Sequence, residues 1–333
     1  MSEFSNEQSL LKINEMKTHF FTKRGIVPAV DGVTIEIPMG KIIGIVGESG
    51  CGKSVTSLSV MGLVQRPGKV VEGTIEFEGK NLLKLSKSEI RKIRGNEISM
   101  IFQEPMTSLN PVYTVGRQVR EAITIHENIS KKEAKNKVID IFKSVGIPEA
   151  EKRYNAFPHQ LSGGLRQRVM IGMAMVCSPK LLIADEPTTA LDVTIEAQIL
   201  HLMRELRTKN NTSIMMITHN LGVVAELCDY VYVMYAGKVM EQSDINELFD
   251  KPYHPYTDGL MRSMPKINST NTRLYSIKGV VPNLLRLPKG CRFSPRCEKA
   301  TERCFQQEPD LYKISENHSV RCFLYEKGVT GHE

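Results

Sequence analysis

Gly47-Glu48-Ser49-Gly50-Cys51-Gly52-Lys53-Ser54 matches the pattern G-x-x-x-x-G-K-[ST] at every fixed position. It directly follows the apolar run KIIGIV (residues 41–46) and precedes a stretch of helical character, the strand–loop–helix context that this pattern requires. Glycines let the backbone turn its N–H groups inward around phosphate oxygens, and the following helix adds the positive end of its dipole. Lys53 then brings a point charge to the β- and γ-phosphates of a nucleotide, and Ser54 a hydroxyl for Mg2+. With both flanks in place, a chance glycine-rich turn is a poor explanation. The loop commits this part of the chain to an α/β fold.

Further along, LLIADE carries an apolar strand into two carboxylates, Asp185 and Glu186. At the carboxyl edge of a parallel sheet, Asp185 is suited to hold Mg2+ and Glu186 to orient or activate an attacking water. Candidate strands at 41–46, 98–102, 180–184, 213–217 and 230–235 alternate with helical stretches after Lys53, Val112, Lys131, Gly163, Thr194 and Leu221. That alternation predicts a mainly parallel sheet covered on both faces. Residues 104–178 lack strong strand runs and read as a mostly helical insertion. No internal repeat is evident, so one copy of each functional element is expected.

Composition narrows the class. In 333 residues, 41% are hydrophobic and 24% charged, which excludes wholesale disorder. No run approaches the roughly 18–20 apolar residues of a membrane-spanning helix, and MSEFSNEQSLLK has no apolar segment behind a basic one. The expected location is therefore cytosolic. From residue 251 onward the pattern becomes irregular and basic, with 14 Lys and Arg against 8 Asp and Glu, and KPYHPYTDGL marks the boundary. Four of the seven cysteines, Cys291, Cys297, Cys304 and Cys322, lie in this tail. In a cytosolic chain such a cluster points to metal ligation before disulfides. Gaps of 5, 6 and 17 residues are wider than those of the usual zinc knuckle and suit a [4Fe–4S] cluster at least as well; zinc and free thiols or a disulfide stay open. Arg292, Arg296, Lys299, Arg303 and Arg321 lie among these cysteines, either offsetting cluster charge or forming a solvated basic surface.

Leu161-Ser162-Gly163-Gly164-Leu165-Arg166-Gln167-Arg168 resembles the LSGGQ signature of ATP-binding-cassette (ABC) ATPases, with Leu165 where the signature usually has Gln. Gln103 in IFQEP resembles the Q-loop glutamine, Ala190-Leu191-Asp192 the D-loop, and His219 in ITHN the switch histidine. Phe20 matches the aromatic that stacks on adenine, with Phe21 as the alternative. Six ordered motifs over roughly residues 10–250 carry the resemblance. It implies an α/β P-loop NTPase of the ABC nucleotide-binding type: a RecA-like core, an antiparallel β subdomain and a helical subdomain. Implied domains are the ATPase at 1–250, with its helical part at about 104–178, and a small Cys-rich C-terminal extension at 251–333.

The resemblance also implies roles. Gly47, Glu48, Ser49, Gly50, Cys51, Gly52, Lys53, Ser54, Gln103 and Asp185 would bind ATP; Ser54, Gln103 and Asp185 would hold Mg2+; Glu186, His219 and Gln103 would act in hydrolysis. Ser162, Gly163 and Gly164, a helix cap in themselves, would meet the ATP of a second cassette paired head to tail, with Asp192 at the same interface. Glu104-Pro105-Met106-Thr107-Ser108-Leu109-Asn110-Pro111, with ADEPTTALDVT and PYHPYT, looks like the cassettes of oligopeptide, dipeptide and nickel importers, of the "D" type. The implied partners are a second, homologous cassette, two transmembrane permease subunits and, indirectly, an extracytoplasmic peptide-binding protein, with no nucleic acid. The chain would then lie peripherally on the cytoplasmic face of the membrane. Members carry a similar Cys-rich extension, some with an iron–sulfur cluster. The alternative is a soluble cassette ATPase acting on nucleic acid or ribosomes through its basic tail. The cargo, dipeptide, oligopeptide or nickel, is not readable from this chain.

Overall fold

The computed structural model describes residues 8–103, 108–188, 192–264 and 275–327. The chain folds as two compact units, one from the described residues within Met1–Pro38, Ile42–Leu83 and Ile217–Glu333, the other from Met39–Lys41 and Lys84–Met216.

In the first unit, β1 (Ser9–Thr22) and β2 (Gly25–Pro38) form a long antiparallel hairpin, and β4 (Gly68–Phe77) pairs with the other edge of β1, with β5 (Lys80–Asn81) beyond it. Leu11, Ile13, Val33, Ile35, Ile37, Ile75 and Phe77 supply the buried face. A bulge at Glu15, whose φ is 44°, shifts the register, so Ile13 and Met16 are both buried although three residues apart. That break in the two-residue alternation hides the strand from a periodicity reading.

A second sheet in this unit holds β3 (Ile42–Val46), buried throughout, parallel to β9 (Tyr230–Tyr235). β9 turns at Ala236-Gly237, both with positive φ, into antiparallel β10 (Lys238–Asp244). The tail continues the sheet: β12 (His318–Val320) pairs with β10, and β11 (Tyr312–Lys313) pairs with β12. Within this unit Glu241 of β10 is fully buried, and a buried carboxylate requires partners. It accepts the N–H groups of Tyr253 (2.6 Å) and His254 (3.0 Å), and the His318 ring lies 2.8 Å away. One carboxylate thus joins the PYHPYT segment and the last strand to β10.

In the second unit, β6 (Ile98–Ile101) runs parallel to β7 (Leu181–Asp185), and β8 (Ser213–Thr218) follows in the order β8-β7-β6. Among the described residues from 108 to 178 there is no strand; helices Val115–His126, Lys131–Ser144 and Gly163–Met175 pack through Val119, Ile123, Val138, Phe142 and Val169. Ser130 and Glu133 close a capping box at the start of the second of these. Among the described residues no helix is long and apolar enough to cross a membrane.

Burial pushes the His254 imidazole down to about 4 from its ordinary 6.5, despite the nearby Glu241. Because the folded value is the lower one, the stability tied to the neutral ring is complete above pH 6.5 and is lost as pH falls through 4. Melting temperature should fall over that window. His254→Asn, which keeps an acceptor for the Tyr256 N–H, should flatten the dependence in thermal melts from pH 7.5 to 4.5.

Candidate nucleotide site

β3 delivers its carboxyl end into the glycine-rich loop, and helix Lys53–Val60 leaves it. Two glycines are required by contact. A Cβ on Gly47 (φ 151°) would stand 2.2 Å from the Met234 carbonyl oxygen, and one on Gly52 (φ 105°) 2.4 Å from that of Ala29. Gly50 has φ 78° and open space around it. Lys53, 5% exposed, donates to the carbonyl oxygens of Gly47 (2.7 Å) and Glu48 (3.2 Å), so its ammonium lies inside the turn of the loop. Cys51 is fully buried, and burial pushes its thiol up, which makes it packing and not a reactive group. Ser54 is the second residue of the helix, where its carbonyl accepts from the Ser57 hydroxyl (2.8 Å).

Glu48 is engaged at both ends by the last quarter of the chain. Its N–H donates to the Tyr256 hydroxyl (2.8 Å), and its carboxylate takes both terminal nitrogens of Arg296 (2.5 and 3.1 Å). Arg292 is bound to Asp31 and to the Ala236 carbonyl. Neither arginine is solvated: each pairs with an acidic side chain of the cassette body, which corrects the view of both as offsets to cysteine charge or as open surface. Arg303 pairs with Glu326, and Arg321 donates to the Val239 and Pro309 carbonyls. The aromatics of β1 divide: Phe20 packs on Gly68, whose added Cβ would meet its ring at 2.6 Å, whereas Phe21 is 48% exposed.

The second unit carries the acidic pair. Asp185 ends β7 and is buried; Glu186 follows with φ 47°, a conformation that costs a non-glycine residue energy and recurs at functional sites. Gln103, just past β6, donates to the Glu186 carboxylate at 2.9 Å. Parallel pairing of β6 with β7 brings these two residues together from 83 positions apart. Ser162 caps helix Gly163–Met175 and accepts the Leu165 N–H at 3.4 Å. Gly163 has nothing within 4 Å of a would-be Cβ, and Gly164 sits against Ile195. Buried Gln167 of the same helix donates to the Pro187 carbonyl, tying the signature helix to the turn after Glu186; sequence reading passed over it because its neighbours carry the motif. Asp192 caps helix Val193–Asn210 through the Ile195 N–H (2.9 Å). Glu104, Pro105, Met106 and Thr107, and Ala190 and Leu191, lie outside the described residues. His219, in the first unit, follows β8 on the surface, and Asn220 caps the next helix by accepting from Gly222 (2.9 Å).

Cys291, Cys297, Cys304 and Cys322 line one cavity of about 230 Å3 in the first unit. Burial, with the neighbouring sulfurs adding to it, pushes Cys291 up to about 11 and Cys322 up to about 12. Among the described residues no group of three or more His, Cys, Asp or Glu is placed to hold a metal ion.

Comparison with known proteins identifies the family. The ABC transporter family model matches residues 30–189, and that of the oligopeptide/dipeptide transporter C-terminal region matches residues 240–304. The oligopeptide transport ATP-binding protein AppD of Bacillus subtilis is 53% identical over 96% of this chain and 98% of its own length. The chain belongs to the ABC transporter family. The cassette also shares 48% identity, over 94% of its length and 96% of the relative, with the dipeptide transport ATP-binding protein DppD of Escherichia coli. Among solved structures, the ATP-binding cassette MJ0796, a dimer bound to ADP and Pi after hydrolysis, superposes with a TM-score of 0.64 at 26% identity, covering 71% of this chain and 98% of that one. The fold is that of an ABC ATPase cassette.

Gly52→Ala places a side chain on the Ala29 carbonyl in a left-handed backbone conformation. Urea unfolding should register a loss of about 1–3 kcal/mol. Gly50→Ala, with open space, should lose less.

Proposed function

We propose that this cassette binds and hydrolyses ATP to energise the import of di- and oligopeptides across the cytoplasmic membrane. The observation that carries the reading is the glycine-shaped loop around Lys53, standing in a chain about half identical along its length to oligopeptide and dipeptide transport ATP-binding proteins. Loop residues 47–54 cradle the β- and γ-phosphates, Lys53 neutralises them, and the adenine stacks on Phe20 or its neighbour Phe21. Glu186 orients the attacking water and accepts its proton as the water oxygen bonds to the γ-phosphorus and ADP leaves. Gln103, bonded to Glu186, holds that carboxylate in position, and His219 contacts the γ-phosphate. Ser54, Asp185 and Gln103 carry oxygen donors of the kind Mg2+ takes, and the ion when bound neutralises charge on the phosphate oxygens.

The active form in this reading is a heterodimer with a second, homologous cassette, and the dimeric state of the MJ0796 cassette supports it. Ser162, Gly163, Gly164 and Asp192 then act on the ATP held by the other cassette, so that binding closes the pair and hydrolysis opens it. The ATPase occupies residues 1–250; its helical part, about 104–178, docks a short coupling helix of a membrane subunit, in a complex with two transmembrane permease subunits fed by an extracytoplasmic peptide-binding protein. The chain is thereby held at the cytoplasmic face of the membrane.

The extension from residue 251 carries, in this reading, a [4Fe–4S] cluster on Cys291, Cys297, Cys304 and Cys322. Its support is that these four thiols line one cavity, and a [4Fe–4S] cluster takes four thiolates. The cluster supplies a covalent staple to a segment with little core of its own.

Glu186→Gln should keep ATP binding and largely abolish hydrolysis, and Lys53→Ala should weaken binding itself, both read by equilibrium nucleotide binding and phosphate release. Wild-type turnover in the first variant overturns the role given to Glu186. Protein purified without oxygen should be brown, with about four irons and four sulfides per chain. A colourless protein with zinc or no metal removes the cluster.

A further inference from the structure

The two thiols Cys291 and Cys297 bracket Arg292-Phe293-Ser294-Pro295-Arg296. Of these five, Arg296 bonds to Glu48 of the phosphate loop, within the first unit. Phe293 is buried, edge-on to Tyr235 at 5.3 Å and 5.4 Å from the Tyr256 ring. Arg296, with a side chain only 4% exposed, donates to both carboxylate oxygens of Glu48. Its remaining donors reach the Tyr235 hydroxyl (3.3 Å) and the carbonyls of Ile277 (3.2 Å) and Lys278 (3.0 Å). A planar fork satisfied on every side holds its acceptor in one geometry, which a lysine cannot reproduce.

Glu48 is therefore fixed at three points. Arg296 holds its carboxylate, the Tyr256 hydroxyl its N–H, and Lys53 its carbonyl oxygen. On the other side of the loop, the Gly237 N–H donates to the Cys51 carbonyl (2.9 Å), and Arg292 holds the adjoining Ala236 carbonyl. The hook between the cysteines thus acts on the loop directly at Glu48 and through the β9–β10 turn at Cys51. Apart from Lys53, none of the groups that hold the loop here lies in the motif itself.

We propose that Arg296 is a positioning residue of the nucleotide site: by clamping Glu48 it presets the phosphate loop for the triphosphate. The inference rests on the ATP-binding reading above. A loop ordered in advance binds more tightly because less freedom is lost on binding. Release of the clamp should therefore weaken ATP binding more than it slows the chemical step.

The test compares the wild-type full chain with Arg296→Ala, Arg296→Lys, Glu48→Gln, Glu48→Ala and the double alanine variant, measuring MgATP affinity and the KM and kcat for ATP. Arg296→Ala should raise Kd and KM about tenfold with a much smaller change in kcat, and Arg296→Lys should recover only part of the loss. Glu48→Ala should behave alike, and the double variant should be no worse than either single one, because both remove the same pair. Hydrogen exchange at loop amides 47–53 should quicken in Glu48→Gln, a substitution at a partly exposed position that tests the clamp even where Arg296→Ala fails to fold. Wild-type ATP affinity in Arg296→Ala, or losses that multiply in the double variant, overturn the inference while leaving the ATPase reading intact. Absence of MgATP binding by the wild-type chain overturns both.

Discussion

Backbone approaches backbone around the phosphate loop more closely than any side chain permits, and the first unit is arranged about that constraint. At Gly47 and Gly52 the space a Cβ would fill is taken by carbonyl oxygens from β9 and β2. Such proximity holds only if β3 is buried on both faces and in register with β9, as it is from Ile43 opposite Tyr230 to Val46 opposite Val233. The antiparallel sheet brings Ala29 to the same place, and the β9–β10 turn closes the ring through Gly237 and Cys51. Strand order, turn type and glycine placement are one requirement seen from three sides.

The second unit solves a different problem, that of holding a carboxylate ready without burying it unpaired. β6 and β7 end side by side, so Gln103 meets Glu186, whose left-handed backbone turns it off the strand axis. Gln167 anchors the next residue, Pro187, to the signature helix, and Thr188 bonds Glu196 of the following one. Strain at one residue persists because its neighbours are fastened on both sides.

The described residues from 275 to 327 share a unit with the phosphate loop. The strands of the C-terminal extension prolong the β9–β10 sheet, the buried Glu241 binds its entry segment, and its arginines pair with acids of the cassette body. Four thiols, two of them bracketing the hook, line one cavity. Arg292 and Arg296, which the sequence left open as offsets to cysteine charge or as a solvated surface, are buried ion-pair members, and a pair of that kind fixes geometry more than it adds stability.

Much of the site was legible because its chemistry is local: a phosphate loop, a strand ending in Asp185 and Glu186, and a capped signature helix each fit within about ten consecutive residues, and so did five of the strands that carry them. The hairpin β1–β2 was not legible, since the bulge at Glu15 breaks its alternation, and the tail strands are too short to show a period. Nor was the clamp, for Glu48 and Arg296 stand 248 residues apart and neither lies in a pattern that names the other. By itself the sequence determined the glycine-rich loop ahead of Lys53, the strand that ends in Asp185 and Glu186 and the helix capped by Ser162, because spacing along a strand, loop or helix fixes those over a few residues. Only the tertiary structure decided that the cysteine-bracketed hook grips the phosphate loop, because that contact joins residues 248 positions apart through β9 and the β9–β10 turn, which no local pattern encodes.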